Sequence, residues 1–261
     1  MTESRVDVAG TPGMFACSKQ GLREKDEDFV ASDWDSGIKI GVLCDGLGGE
    51  SSGEVASEVS AKTFIRSVFE SRRSLGNKWQ SEGARLAAYK IAVKRCHDEV
   101  NRIDPEAKSG TTLTAMVIWR AKWWRVKGDV VHIGDSRCYR IRGGDAEPLT
   151  EDHSVTGGMV KSGYIHIHQI PETAGSSSLT KNIGDSDGSG PDVKSFTMRK
   201  NDAFLLCCDG VWGPLHDEEG FWLPAGHGSH QQMVEMVVEE SLSRGSTDNC
   251  SALLVMPREW S

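Results

Sequence analysis

Six short apolar runs limit the fold of this sequence more than any other feature. Each run is rich in Val, Ile, Leu or Cys and is bounded by Gly, Asp or Ser, which is typical of buried β-strands. The runs cover residues 38–45, 111–119, 129–135, 137–142, 202–209 and 250–256. Because they come in consecutive clusters and do not alternate strictly with helices, they favour an α+β fold with mostly antiparallel pairing.

Three segments have the apolar spacing of α-helices. Residues 53–70 and 80–101 place apolar side chains at steps of three and four, which builds an apolar stripe along each segment. A third helix is expected to begin after Ser229, where Gln232 completes a capping box, and to end near Gly245. These helices are expected to cover the strands.

Composition excludes several functional classes. The chain has 261 residues and no apolar run of about 18 residues, so we expect no transmembrane helix, and its N-terminus lacks the features of a signal peptide. A formal charge of −8 disfavours nucleic acid binding, which needs clustered Lys and Arg. Seven cysteines without a C-x-x-C pair indicate buried, reduced thiols. The sequence therefore predicts a soluble, cytoplasmic protein.

The placement of the aspartates indicates a metal site. Asp45, Asp135 and Asp209 each end a predicted strand, Asp248 stands two residues before another, and a further acidic pair occupies positions 27 and 28. Carboxylates that meet at strand ends repel each other unless a cation neutralises them. Ligand sets made only of oxygen suit magnesium or manganese better than zinc. The alternative is that each aspartate only shapes a turn, since Asp-Gly and Asp-Asn are common turn sequences.

Eight sequence motifs follow one another along the chain. They are GLREKDEDF (21–29), CDGLGGESSGEVAS (44–57), SGTTLTAMVI (109–118), VHIGDSRCYRI (131–141), LTEDHS (149–154), LTKNIGD (179–185), DAFLLCCDGVWGPLHDEE (202–219) and STDNCSALLV (246–255). Their order and spacing resemble the metal-dependent serine/threonine protein phosphatases, the PPM or type 2C family, in its bacterial form. The resemblance covers about residues 13–256.

This resemblance implies a fold and a domain organisation. The implied fold is a pair of packed antiparallel β-sheets flanked by α-helices on both sides, an α-β-β-α sandwich. Residues 1–261 would form a single catalytic domain. The irregular stretch at about 154–190 would be a flap-like insertion beside the active site.

By the same resemblance, four residues form the centre of a two-metal site. Asp45 corresponds to the aspartate that bridges two metal ions, and the Gly46 carbonyl corresponds to a ligand of one ion. Asp209 and Asp248 correspond to the remaining direct ligands of the other ion. The implied cofactors are two tightly bound Mn²⁺ or Mg²⁺ ions and a third, weaker one.

Four more residues have implied roles around those ions. Glu27 and Asp28 match the acidic pair that holds metal-bound waters, and Asp135 matches the aspartate that helps to hold the third ion. Arg23 matches the arginine that grips the substrate phosphate, which a planar guanidinium can hold by two parallel hydrogen bonds. The general acid is unassigned, because no His lies two residues beyond Asp45.

The implied activity is hydrolysis of phosphoserine and phosphothreonine monoesters by direct attack of a hydroxide that bridges the two ions. The implied partners are phosphoproteins, in particular a Hanks-type kinase and its substrates, and the chain is expected to be a monomer. One alternative is a pseudophosphatase that only binds a partner, but every matched ligand position holds its carboxylate. Another is a serine esterase using Ser51 in a G-x-S-x-G pattern, although DGLG separates this pattern from the preceding strand.

Overall fold

The computed structural model of the protein describes residues 5–8, 10–35, 37–48, 52–105, 109–121, 125–170, 178–185, 190–217, 220–224, 228–257 and 259. The strands are β1 (Val6–Asp7), β2 (Met14–Lys19), β3 (Asp28–Trp34), β4 (Ile38–Leu47), β5 (Gly110–Thr111), β6 (Leu113–Arg120), β7 (Val126–Ile133), β8 (Arg137–Arg142), β9 (Asp145–Pro148), β10 (Asp192–Thr197), β11 (Ala203–Cys207), β12 (His216–Asp217), β13 (Gly220–Phe221) and β14 (Cys250–Val255). The α-helices are α1 (Gly53–Leu75), α2 (Glu82–Ile103), α3 (Val155–Lys161), α4 (Asp209–Leu215) and α5 (His230–Ser243).

Most of these strands belong to two sheets. The first sheet has the order β1-β3-β4-β6-β7-β10, with β5 paired to β4, and the second has the order β2-β14-β11-β8-β9. Neighbouring strands pair antiparallel, and among the described strands only β1 and β3 pair parallel. The strands β12 and β13 form a separate antiparallel ladder.

The two sheets pack against each other and helices cover their outer faces. Strand β14 of the second sheet contacts β3 and β4 of the first. Helices α1 and α2 share one apolar cluster with the first sheet, while α4 and α5 pack with the second sheet in another. The predicted sandwich of two sheets flanked by helices is therefore confirmed. Within the described residues, no helix combines the length and the apolar character that crossing a bilayer requires.

Burial on both faces explains why the strands of the first sheet form continuous apolar runs. In β4, Ile40 and Val42 pack against the helices, whereas Leu43 packs towards the second sheet. In β6, Val117 and Ile118 divide in the same way between the two clusters. Alternate side chains of one strand thus serve two cores, as the two-residue repeat of a strand requires.

The apolar runs did not predict β2, β3, β9 or β10. Strands β2, β9 and β10 lie at the edges of their sheets, where one side of the strand has no partner and polar residues are tolerated. Strand β3 is central but begins with Asp28 and ends with the polar sequence Ser32–Asp33 before Trp34. Because both ends of the strand are polar, its apolar centre is too short to be recognised as an apolar run.

Three local predictions can be compared with the structure. The capping box at the start of α5 is present, with Ser229 Oγ accepting from the Gln232 N–H and Gln232 Oε1 accepting from the Ser229 N–H. All seven cysteines are free and six are buried, as expected of reduced thiols. The helix expected to begin after Ser229 and to end near Gly245 is α5, which covers His230–Ser243.

A buried ionic cluster joins α2 to the first sheet. The Asp129 carboxylate of β7 accepts hydrogen bonds from Arg85 Nε at 2.6 Å and from the Tyr89 hydroxyl at 2.8 Å. Its second oxygen accepts from the Ser195 hydroxyl of β10 at 2.5 Å. The Arg85 guanidinium also lies 4.2 Å from the centre of the Trp119 ring. The carboxylate is therefore fully satisfied although it is excluded from water.

We expect Arg85→Met to lower the free energy of unfolding by about 3–5 kcal/mol, because it leaves the buried Asp129 charge without its cation. The matched control is Arg95→Met, which removes a half-exposed ion pair to Glu70 and should cost at most about 1 kcal/mol. Urea unfolding followed by circular dichroism measures both values. Equal losses in the two variants would contradict the assigned role of the cluster.

Candidate active site

The carboxylates of the first sheet lie at one end of the sandwich and face the second sheet. Asp28 is the first residue of β3 and lies directly opposite Asp45 of β4 in the antiparallel ladder. Directly opposed residues have Cβ atoms about 4.5–5.5 Å apart. Both aspartates share a face with Val30 and Leu43, which pack towards the second sheet. The ladder register therefore places two acidic side chains next to each other inside the fold.

The second sheet brings two more aspartates to the same end. Strand β11 runs antiparallel to β14, with Cys207 opposite Ala252, so the end of one lies beside the start of the other. Asp209 follows β11 and is the first residue of α4, and Asp248 stands two residues before β14. Burial is the main cause of the raised pKa of Asp45, and repulsion from Asp209 and Asp248 adds to it.

Asp135 lies in the turn between β7 and β8, where it is 5% exposed. Its carbonyl accepts a hydrogen bond from the Trp212 indole N–H at 2.9 Å. The Arg137 guanidinium stacks on that indole and binds Asp152 through two hydrogen bonds of 2.9 and 2.7 Å. Since Trp212 belongs to α4, the helix that begins with Asp209 also fixes the turn of Asp135.

Burial and mutual repulsion raise the pKa of four of these carboxyl groups. Burial raises the pKa of Asp28 to about 8. Burial, followed by repulsion from Asp28 and Asp209, raises the pKa of Asp45 well above its usual range. The pKa of Asp135 is raised well above its usual range by burial and by Asp209, and that of Asp209 is raised to about 6 by burial and by Asp248. A bound cation would relieve this unfavourable clustering of negative charge.

The environment of Asp28 fits a divalent cation. The residue is 1% exposed, and its carboxylate oxygens make no well-formed hydrogen bond, although the nearby Ser251 and Cys208 side chains partly offset the rise in its pKa. A buried carboxylate without well-formed hydrogen bonds is costly, and oxygen ligands are those that magnesium and manganese prefer. Among the described residues, no group of three or more His, Cys, Asp or Glu side chains is arranged so that it could hold a metal ion. An ion bound here would therefore also need carbonyl or water oxygens.

Arg23 lies beside this carboxylate cluster and remains open to solvent. Its Nη2 donates to Asp248 Oδ2 at 2.6 Å, while 56% of its side chain is exposed. The hydrogen bond to Asp248 is the main cause that raises the pKa of Arg23, and attraction from Asp209 and Asp45 adds to it. The sequence predicted a phosphate contact for Arg23, and the structure anchors the same side chain on a predicted metal ligand.

Close backbone approach brings Glu27 next to Gly46. The Gly46 N–H donates to the Glu27 carbonyl at 3.1 Å. A Cβ on Gly46 would lie 2.3 Å from the Gly53 carbonyl oxygen, and a Cβ on Gly53 would lie 2.4 Å from Glu27 Oε1. Only glycine fits at position 46, where the contact is with backbone, whereas at position 53 the contact is with the end of the Glu27 side chain. The strand β4, the start of α1 and the segment before β3 therefore approach each other closely. Burial and repulsion from Glu54 raise the pKa of Glu27.

Asn249 organises the loop between β2 and β3, a role that no sequence pattern indicated. Its side-chain amide donates to the Gln20 carbonyl at 2.8 Å and to the Lys25 carbonyl at 2.9 Å, and accepts from the Glu27 N–H at 2.9 Å. Its backbone N–H donates to Asp248 Oδ1 at 2.8 Å. One buried residue thus fixes the loop that carries the arginine and orients a predicted metal ligand.

Three predicted positions need correction and one residue lies outside the described part of the chain. Strand β11 ends at Cys207, so Asp209 belongs to α4 and does not end the strand. Strand β4 continues to Leu47, so Asp45 lies within the strand and not at its end. Strand β7 ends at Ile133, so Asp135 belongs to the following turn. Ser51, the residue of the esterase alternative, lies outside the described part of the chain.

Comparison with known proteins assigns this chain to a family. The family model described as Protein phosphatase 2C matches residues 16–244. The chain belongs to the protein phosphatase 2C family. The matched segment of this 2C-family chain contains every predicted site residue except Asp248, which the structure places beside Asp209 and Arg23.

Relatives of this 2C-family chain include bacterial phosphatases. A putative protein phosphatase of Mycoplasma genitalium is 25% identical and is matched over 93% of this chain and 94% of its own length. The PPM Ser-Thr phosphatase MsPP from Mycobacterium smegmatis, solved with cacodylate, is 28% identical with a TM-score of 0.71 over 95% of this chain and 99% of that one. The catalytic domain of the phosphatase PstP, solved with 2 manganese ions, is 25% identical with a TM-score of 0.69 over 92% and 96%.

We expect Asn249→Ala to lower kcat/KM for a phosphothreonine peptide about 10- to 100-fold, because the loop loses three buried hydrogen bonds and small displacements of a binding group are costly. The control is Asn101→Ala near the end of α2, which should leave kcat/KM unchanged. Steady-state kinetics well below the melting temperature measure both variants. A lower melting temperature with unchanged kinetics would show that Asn249 serves stability alone.

Proposed function

We propose that this chain is a metal-dependent protein serine/threonine phosphatase that hydrolyses phosphoserine and phosphothreonine monoesters. The observation that carries this proposal is the cluster of buried carboxyl groups around the opposed pair Asp28 and Asp45, whose negative charges need cations. Membership of the 2C family supports the reaction class. The similar PstP catalytic domain with 2 manganese ions supports the choice of metal.

The proposed cofactors are two tightly bound Mn²⁺ or Mg²⁺ ions and a weaker third one. Asp45, Asp209 and Asp248 would hold the tight pair, with the Gly46 carbonyl as a further ligand, and Asp135 would help to hold the third. Carboxylate and carbonyl oxygens have the right chemistry for these hard ions. Bound divalent ions would supply an acidified water and would offset the negative charge of the phosphoryl group.

Arg23 is proposed to bind the substrate phosphate. A guanidinium has five N–H donors in a planar fork, and in this chain the bond to Asp248 leaves the side chain half exposed. Asp248 therefore anchors Arg23 while other N–H groups remain able to orient two phosphate oxygens. Glu27 and Asp28 are proposed to accept hydrogen bonds from waters around the ions.

The proposed substrates are phosphoproteins, in particular those modified by a Hanks-type kinase. We propose that residues 1–261 act as one catalytic domain, as a monomer in the cytoplasm. The formal charge of −8 supports protein substrates over nucleic acid. All matched ligand positions hold their carboxylates, which favours an enzyme over a pseudophosphatase.

Metal removal is the direct test of this function. We expect the purified protein to hydrolyse p-nitrophenyl phosphate and a phosphothreonine peptide with Mn²⁺ or Mg²⁺. Exhaustive chelation should abolish hydrolysis and added Mn²⁺ should restore it. Asp45→Asn should lower kcat by about 10³-fold or more, because charge stabilisation worth several kcal/mol is lost with the ions.

The matched control is Asp98→Asn, which changes an exposed aspartate of α2 paired with Lys94 and should keep normal turnover. Full activity after exhaustive chelation would exclude the metal-dependent reaction. Near-normal turnover of Asp45→Asn at saturating Mn²⁺ would exclude the assigned ligand set.

A further inference from the structure

Arg5 ties the start of the chain to the carboxylate cluster. Its Nε donates to the Asp28 carbonyl at 2.9 Å, and its Nη2 donates to the Glu54 carbonyl at 2.6 Å and to the Ser57 hydroxyl at 2.9 Å. Its Nη1 donates to Glu58 Oε2 at 3.1 Å. All three guanidinium nitrogens are therefore engaged, and they contact two separate elements, β3 and α1.

The surroundings of Arg5 are those of a structural anchor rather than a surface residue. Its side chain is only 15% exposed, and its guanidinium carbon lies 4.9 Å from the centre of the Phe29 ring. The Arg5 carbonyl accepts from the Val30 N–H at 3.0 Å, which continues into the parallel pairing of β1 with β3. The 2C family match begins at residue 16, so Arg5 lies before the matched segment.

Of the two elements that Arg5 joins, β3 carries Asp28 of the proposed metal site, and α1 follows the strand that carries two more of its residues. Asp28 opens β3 and its carboxylate oxygens make no well-formed hydrogen bond, so the backbone of β3 contributes strongly to their position. Helix α1 begins at Gly53, shortly after the segment of β4 that carries Asp45 and Gly46. The Arg5 side chain links the Asp28 carbonyl to the first turn of α1. This link therefore fixes the start of β3 relative to the start of α1.

We propose that Arg5 is a positioning residue for metal binding, which holds the Asp28 carboxylate at its place opposite Asp45. This inference rests on the proposed function of Asp28 and Asp45 as parts of a metal site. The planar fork of arginine can reach the Asp28 and Glu54 carbonyls together, whereas lysine offers a single ammonium group. Replacement of Arg5 should thus weaken metal binding without removing any proposed ligand.

Calorimetric titration of the metal-free full chain with Mn²⁺ tests this inference. We expect Arg5→Ala to weaken Mn²⁺ binding about 10- to 100-fold, the usual cost of losing a residue that orients metal ligands. Arg5→Lys keeps the positive charge but not the double contact, and we expect it also to bind Mn²⁺ more weakly than the wild type. Activity should then require correspondingly more Mn²⁺ in both variants.

The matched control is Glu58→Gln, which removes the ion pair with Arg5 and leaves the contacts to Asp28 and Glu54 in place. Its Mn²⁺ affinity should change less than about fivefold, as expected for a partly exposed ion pair. The melting temperature of each metal-free variant separates loss of stability from loss of metal binding.

The outcomes separate this inference from the proposed function. If the wild type binds Mn²⁺ and is active while Arg5→Ala binds Mn²⁺ equally well, the role of Arg5 is excluded and the function stands. If Arg5→Ala fails to fold, Arg5→Lys provides the test. A Mn²⁺ affinity of Arg5→Lys equal to that of the wild type would also exclude the proposed role of Arg5. A wild-type chain that neither binds Mn²⁺ nor hydrolyses phosphothreonine would exclude the proposed function itself.

Discussion

The register of one strand pair determines the chemistry of this protein. Strands β3 and β4 pair so that Asp28 lies opposite Asp45, and both side chains point into the space between the two sheets. Like charges placed directly across a ladder destabilise it, and burial increases the cost of the ionised form. A shift of β3 by one residue would turn the Asp28 carboxylate to the helix-covered face of the sheet and separate it from Asp45. The apolar residues of both strands hold the register. The register brings the two carboxylates together, and metal ions are proposed to relieve the repulsion between them.

Hydrogen bonds of the surrounding backbone fix the remaining site residues relative to this pair. Thr112 and Asp45 form two hydrogen bonds: the Asp45 N–H donates to the Thr112 hydroxyl at 3.0 Å, and the Thr112 N–H donates to the Asp45 carbonyl at 2.8 Å. The Thr112 hydroxyl also lies 2.8 Å from the Ser136 hydroxyl. Ser136 directly follows Asp135, so this chain of hydrogen bonds joins the central carboxylate to the turn of the proposed third-ion site. The Trp212 indole of α4, the helix that packs with the second sheet, donates a hydrogen bond to the Asp135 carbonyl in that turn. Both sheets thus contribute to one rigid arrangement. Regular elements position the residues of a binding site more precisely than loops do.

Local patterns in the sequence predicted the main strands, the long helices α1, α2 and α5 and the capping box of α5, because each depends on neighbouring residues. The three segments with helical apolar spacing do not include the short helices α3 and α4. The same patterns could not reveal the roles of Arg5 and Asn249, since both act through contacts with residues far away in the chain. Asn249 lies more than 220 residues from the carbonyls and N–H group that it binds. Strand β3 escaped prediction because polar residues occupy both of its ends, with Asp28 at the first position and Ser32–Asp33 before Trp34. A residue of the proposed site thus helped to obscure the strand that carries it.

Proton release on metal binding tests the central claim that the fold forces these carboxyl groups together. With a pKa of about 8, Asp28 is mostly protonated at pH 7, and the pKa values of Asp45 and Asp135 are also raised. A metal ion favours the ionised carboxylates, so binding must expel protons. Titration of the metal-free chain with Mg²⁺ in buffers of different ionisation enthalpy should show release of about one proton or more per chain at pH 7 and a smaller release at pH 9. Mg²⁺ binding at pH 7 with no release of protons would contradict this account.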